Sequence, residues 1–143
     1  MEDELAIRSY EPRDEASVVR LWGLCALRVS HNDPYEDIKR KLREQPELFL
    51  IGELGGSVVA TCMAGYEGHR GCIYYFGTHP DFQNKGIGRQ LMLEAERLLL
   101  ERGCPKINLM IRETNLEVID FYENIGYKRD PVIVLGKRLI PDN

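Results

Sequence analysis

Cys72-Ile73-Tyr74-Tyr75-Phe76-Gly77-Thr78 runs directly into His79-Pro80-Asp81-Phe82-Gln83-Asn84-Lys85-Gly86-Ile87-Gly88-Arg89, and these two joined segments decide the fold. The first is aromatic and β-branched, the composition of a strand. From Ile87 onward Leu91, Ala95 and Leu98, with Met92 and Leu99 beside them, recur at helical spacing until Gly103-Cys104-Pro105 supplies a terminal glycine and a breaker. A second strand is expected over Lys106 to Ile111. Strand, long helix and strand in succession form a crossover, which sets Cys72–Thr78 parallel to Lys106–Ile111.

Upstream, Leu48–Glu53 and Ser57–Tyr66 are β-rich runs joined by Leu54-Gly55-Gly56, and Glu67-Gly68-His69-Arg70-Gly71 turns the chain into the Cys72 strand. Three strands should therefore meander antiparallel. Before them stand a short strand at Leu5–Ser9 and a helix carrying Val18, Leu21, Trp22 and Cys25. A second helix starts at His31-Asn32-Asp33-Pro34, with Asp33 as N-cap, and ends at Pro46. Downstream, a helix from about Asn115 to Asn124 is capped by Thr114 with Glu117, and a closing strand pair is expected around Tyr127 to Leu135. The class is α+β: one domain over residues 1–143, with a mixed, mostly antiparallel central sheet and helices on both faces.

A chain of 143 residues with 43% hydrophobic and 29% charged side chains reads as an ordinary folded protein. Its net charge of -4 supplies no field for phosphate backbones or anionic membranes, so neither nucleic acid nor membrane is expected as a partner. The acidic opening Met1-Glu2-Asp3-Glu4 does not suit a signal peptide, and a cytoplasmic setting is expected. Cys25, Cys62, Cys72 and Cys104 have neither C-x-x-C spacing nor companion histidines, so no metal site is expected. Cys62 and Cys72 would face each other across a hairpin as reduced thiols.

The loop between strand and long helix carries the chemistry. A helix start offers unpaired amides and a positive dipole end, Gly86 and Gly88 allow close backbone approach, and Lys85 and Arg89 add countercharge, together an anion cradle. A Rossmann fingerprint would need glycine where Leu91 stands, and no P-loop pattern occurs.

Gln83-Asn84-Lys85-Gly86-Ile87-Gly88 resembles the Q/R-x-x-G-x-G/A signature by which GNAT N-acetyltransferases bind acetyl-coenzyme A. Asn115 followed by Phe121-Tyr122-Glu123-Asn124-Ile125-Gly126-Tyr127 resembles a second block of that family, and the likeness covers essentially the whole chain. Gly68-His69-Arg70-Gly71 and its strand look like the branch that includes ribosomal-protein alanine acetyltransferases.

The resemblance implies a GNAT-like acyltransferase fold in which the Thr78 and Ile111 strands splay to admit the pantetheine arm. It implies cofactor contacts at Phe76, Thr78, Gln83, Asn84, Lys85, Gly86, Ile87, Gly88, Arg89 and Asn115, and a role for Tyr122 at the departing thiolate. Glu67 is the candidate base, with His69 and His79 as alternatives, and Asp33, Glu36 and Asp37 would attract a cationic amine. The implied reaction is direct acetyl transfer from acetyl-coenzyme A, as co-substrate and without metal, to a small-molecule amine, a peptide N-terminus or a lysine. Family habit suggests a homodimer. Two other classes are a noncatalytic acyl-coenzyme A binding and sensing module, and a nucleotide-binding domain using the same loop.

Overall fold

A computed structural model describes residues 4–142. Its sheet grows from the central hairpin, β2 (Phe49–Leu54) and β3 (Ser57–Tyr66), whose residues are apolar on both faces and so must be covered twice. Phe49, Ile51 and Met63 pack against Val18, Val19, Trp22 and Ile38. These come from α1 (Glu15–Leu24) and α2 (Pro34–Arg43). On the opposite face Leu50, Cys62 and Ala64 meet Ile87, Leu91, Met92, Ala95 and Leu99 of α3 (Ile87–Glu101) and Tyr122 of α4 (Leu116–Asn124). The result is the expected α+β layering, with a buried core on each side of the sheet.

β1 (Ala6–Ser9) pairs antiparallel with β2, β3 pairs antiparallel with β4 (Gly71–Thr78), and β4 pairs parallel with β5 (Ile107–Asn108). The order across the sheet is β1-β2-β3-β4-β5. The crossover through α3 is as anticipated, but β5 is shorter than the expected Lys106–Ile111 strand. Pairing stops after Gly71↔Ile107 and Cys72↔Asn108, because beyond them β4 and Leu109–Ile111 have no ladder. A gap opens there, on the α3 side of which α4 stands.

Three local expectations are corrected. The closing strand pair around Tyr127–Leu135 does not form: no strand is assigned between 127 and 142. Val132, Ile133, Val134 and Leu135 are 72%, 87%, 63% and 90% exposed, so their β propensity finds no neighbouring strand to express it. The segment is pinned at both ends, by Lys106 with Asp130 and by Arg138 with Asn32 and Asp142. Cys72 lies opposite Gly65 and Cys62 opposite Leu50, so the two thiols do not face each other. Asn115, rather than Thr114 with Glu117, caps α4, its side chain accepting from the Val118 N–H at 3.4 Å.

Candidate active site

β4 carries an irregularity that decides the shape of the site. Tyr74 pairs with Met63 and Gly77 with Thr61, so Tyr75 and Phe76 together oppose the single residue Cys62. This is a β-bulge, and Tyr75 takes the extra step with φ of 49°. Its ring stacks on Trp22 at 3.8 Å between centroids, and its hydroxyl donates to Asp37 Oδ2 at 2.6 Å. Burial, and then the Asp37 bond, push the Tyr75 hydroxyl's pKa well above the usual phenol value.

Phe76 points to the other face. Its ring lies 5.4 Å from Phe121 and 5.6 Å from Tyr122, and it thereby lines the gap's wall on the α3 and α4 side. Tyr122 is 5% exposed, and burial raises its pKa strongly, so at neutral pH its hydroxyl is a protonated donor. Among the described residues that hydroxyl has no hydrogen-bond partner, and no fully buried side-chain polar atom is left unsatisfied. The Tyr122 ring is held by Phe76, Phe121 and Tyr127, which fixes where the hydroxyl stands.

At the open end of the gap the chain turns through the loop 79–86. His79 Nδ1 accepts from the Asp81 N–H at 3.1 Å, and the Gln83 side chain folds back to donate to the Thr78 carbonyl at 3.2 Å. Asn84 and Gly86 both hold positive φ, 62° and 79°, which aims successive backbone N–H groups outward. α3 then begins with no side-chain cap and no acidic residue in its first turn. The N–H groups of Ile87, Gly88 and Arg89 are thus unclaimed, with the exposed side chains of Lys85 and Arg89 beside them. The two glycines differ. Gly86 faces open space, whereas a Cβ on Gly88 would stand 3.2 Å from Phe76 and 3.4 Å from Phe121, so Gly88 lets the aromatic wall close on the helix start.

The uncapped start of α3, the bulged β4 and the buried Tyr122 meet around the Phe76 ring. The Acetyltransferase (GNAT) family profile matches residues 15–127 of this chain. The chain belongs to the GNAT family. An acetyltransferase of Yersinia enterocolitica is 47% identical over 138 residues, covering 96% of this chain and 98% of that one. As a GNAT chain with such relatives, the protein is an N-acetyltransferase.

Solved acetyltransferase structures share the fold at lower identity. The aminoglycoside acetyltransferase AAC(6')-Iy, solved with a coenzyme A bisubstrate analogue, superposes with a TM-score of 0.77 at 17% identity, over 95% of this chain and 99% of that one. The ribosomal-protein-S18-alanine N-acetyltransferase of Escherichia coli gives 0.73 at 20% identity, over 86% and 77%.

The GNAT geometry does not gather every residue expected of it. Phe76, Ile87, Gly88 and Tyr122 pack together, Thr78 ends β4 with its carbonyl accepting from Gln83, and Gln83, Asn84, Lys85, Gly86 and Arg89 lie in the turn and first helical turn that follow. Asn115 is exposed at the start of α4 and spends its side-chain oxygen on the cap. Glu67 does not join them. It follows the last residue of β3, and that end lies beside the start of β4, roughly 17 Å along the strand from Phe76 at about 3.3 Å per residue. Its side chain is exposed in the turn. In the antiparallel pair the last residue of β3, Tyr66, meets the first residue of β4, Gly71, not the bulge. The carboxylate the fold does bring to the bulge is Asp37, through Tyr75. Trp22, Thr61 and Tyr75 were not foreseen, and no glycine marks the positive φ at Tyr75. No group of three or more His, Cys, Asp or Glu among the described residues could hold a metal ion.

Proposed function

We propose that the protein transfers the acetyl group of acetyl-coenzyme A directly to an amine. The diphosphate rests on the Gln83–Arg89 loop, and the pantetheine arm lies in the gap between β4 and Leu109–Ile111. The amine lone pair attacks the thioester carbonyl carbon, the C–S bond breaks, and the sulfur departs as a thiolate that accepts a hydrogen bond from the Tyr122 hydroxyl, which keeps its proton. The amine's surplus proton passes to solvent. The observation that carries this reading is the buried, protonated Tyr122 hydroxyl, on a ring packed against Phe76 of the bulge.

The test is release of free thiol from acetyl-coenzyme A against a panel of small amines, peptides with free N-termini and lysine peptides. Tyr122→Phe keeps the ring packing against Phe76, Phe121 and Tyr127 and removes only the hydroxyl. Its kcat should fall roughly 10²-fold with acetyl-coenzyme A affinity unchanged. Full turnover in the folded variant would remove Tyr122 from the chemistry. Glu67→Gln should leave the rate at the wild-type value, because its carboxylate stands at the far end of β4.

The same reading includes a cytoplasmic homodimer. Val132–Leu135 form an apolar, unpaired run held out from the domain, the kind of surface that a second copy covers. Sedimentation should show a dimer for the wild type and a monomer for Ile133→Asp, and a wild type that stays monomeric at high concentration would refute the dimer.

A further inference from the structure

Tyr75 is the only non-glycine residue within a strand, among those described, that holds a positive φ. A tyrosine does not adopt that conformation without help. The help comes from two fully buried residues that the reaction itself does not use. Trp22 Nε1 donates to Thr61 Oγ1 at 3.0 Å, and Thr61 Oγ1 donates onward to the Tyr75 carbonyl at 2.8 Å. Both Trp22 and Thr61 are 0% exposed. The Trp22 ring also stacks under the Tyr75 ring, and Asp37, held by Arg40 at 3.0 Å, takes the Tyr75 hydroxyl.

The carbonyl of Tyr75 and the N–H of Phe76 belong to one planar trans peptide, so they point in opposite directions. Thr61 lies on β3, to one side of β4, and the gap lies on the other side. Fixing the Tyr75 carbonyl on Thr61 therefore turns the Phe76 N–H away from β3 and into the gap. Resting on the acetyl-transfer reading above, we infer that Thr61 and Trp22 are positioning residues for the reaction: through the Tyr75 carbonyl they aim the Phe76 N–H at the thioester oxygen. A donor already oriented there stabilises the negative charge that develops on that oxygen as the amine attacks, without reorganising during the step. A buried threonine on the far side of the strand thereby governs a group that meets the substrate.

Thr61→Val and Thr61→Ser separate this role from simple packing. Val keeps the shape and loses the hydroxyl, leaving Trp22 Nε1 and the Tyr75 carbonyl unpaired, whereas Ser keeps the hydroxyl and loses a methyl group. Both should lower the melting temperature. Only Val should lose kcat, by roughly tenfold or more, with acetyl-coenzyme A affinity retained. In the bound complex, the carbonyl stretch of carbonyl-labelled acetyl-coenzyme A should move to lower frequency in wild type and Thr61→Ser, and back toward the free value in Thr61→Val. Trp22→Phe keeps a stacking ring and removes only the donor that orients Thr61, so it should show a smaller shift of the same sign, and it serves if Thr61→Val does not fold.

Rates that follow stability alike in Val and Ser, or a stretch unchanged between wild type and Thr61→Val, would overturn the inference. A wild type that shifts the stretch but acetylates no amine would refute the acceptor assignment alone. A wild type that does not bind acetyl-coenzyme A would refute both.

Discussion

Two helix starts in this molecule face the same physical problem and solve it oppositely. At the start of α2, Asp33 accepts from the N–H groups of Tyr35 and Glu36, and Glu36 and Asp37 add acid to the first turn. Asp142, from the end of the chain, closes the site further by accepting from the Asp33 N–H at 3.1 Å and from both terminal nitrogens of Arg40. At the start of α3 none of this is present, and the nearby side chains are the basic Lys85 and Arg89. Every helix carries unpaired N–H groups and a positive end at its first turn. One end is satisfied within the chain and serves stability; the other is left unfilled and is suited to an anionic ligand.

The sharpest way to break this contrast is to reverse the charge at the open end. Lys85 and Arg89 are exposed and make no ion pair among the described residues, so Lys85→Glu with Arg89→Glu should fold normally. At a hundredfold excess over its dissociation constant, acetyl-coenzyme A should stabilise the wild type by about 2.7 kcal/mol. The double variant should lose that stabilisation, read as the ligand-induced rise in melting temperature. A rise equal to the wild type's would show that the α3 start is not the anion site.

The filled end gives the complementary result. Asp33→Ala should cost about 1 kcal/mol of stability through loss of the cap, measured by urea denaturation. The rise in melting temperature with acetyl-coenzyme A should persist. If that rise vanished instead, the two helix starts would not be independent.

The smallest effect concerns Asp142. Arg40 first, and then the Asp33 N–H, hold its carboxyl well below the usual carboxylate range. A folded-state pKa depressed in this way contributes stability above the unfolded value, about 3.9, and loses it as the pH falls toward the folded one. Asp142→Asn should therefore melt below the wild type at neutral pH, and the difference should shrink between pH 4 and pH 2. A difference independent of pH would mean that the charge of Asp142 does not hold the C-terminal segment to α2.

Much of this was legible in the sequence because it is local. Asp33-Pro34 announces the α2 cap, the spacing of Leu91, Ala95 and Leu98 announces α3, and Gly86 in its basic setting announces the loop, each within a few residues. The strand-helix-strand order also settled that β4 and β5 run parallel. The Val132–Leu135 run shows where local signals fail. Its residues favour a strand, but a strand needs a neighbour, and the chain places none beside it.

The sequence by itself determined the α+β class, the order of elements as far as α4, the glycine-bearing turn before α3 and the family. These depend on periodicity, turn chemistry and motif spacing, which act over one or two turns of chain. Only the tertiary structure decided that Glu67 lies far from the bulge and that β4 and Leu109–Ile111 part after Cys72. Only it showed that Trp22 and Thr61 meet across 39 residues of sequence to fix the peptide after Tyr75. Such facts depend on register and on contacts between distant segments. A single step in register, as at Thr61/Met63, changes which groups face the site without changing any local preference.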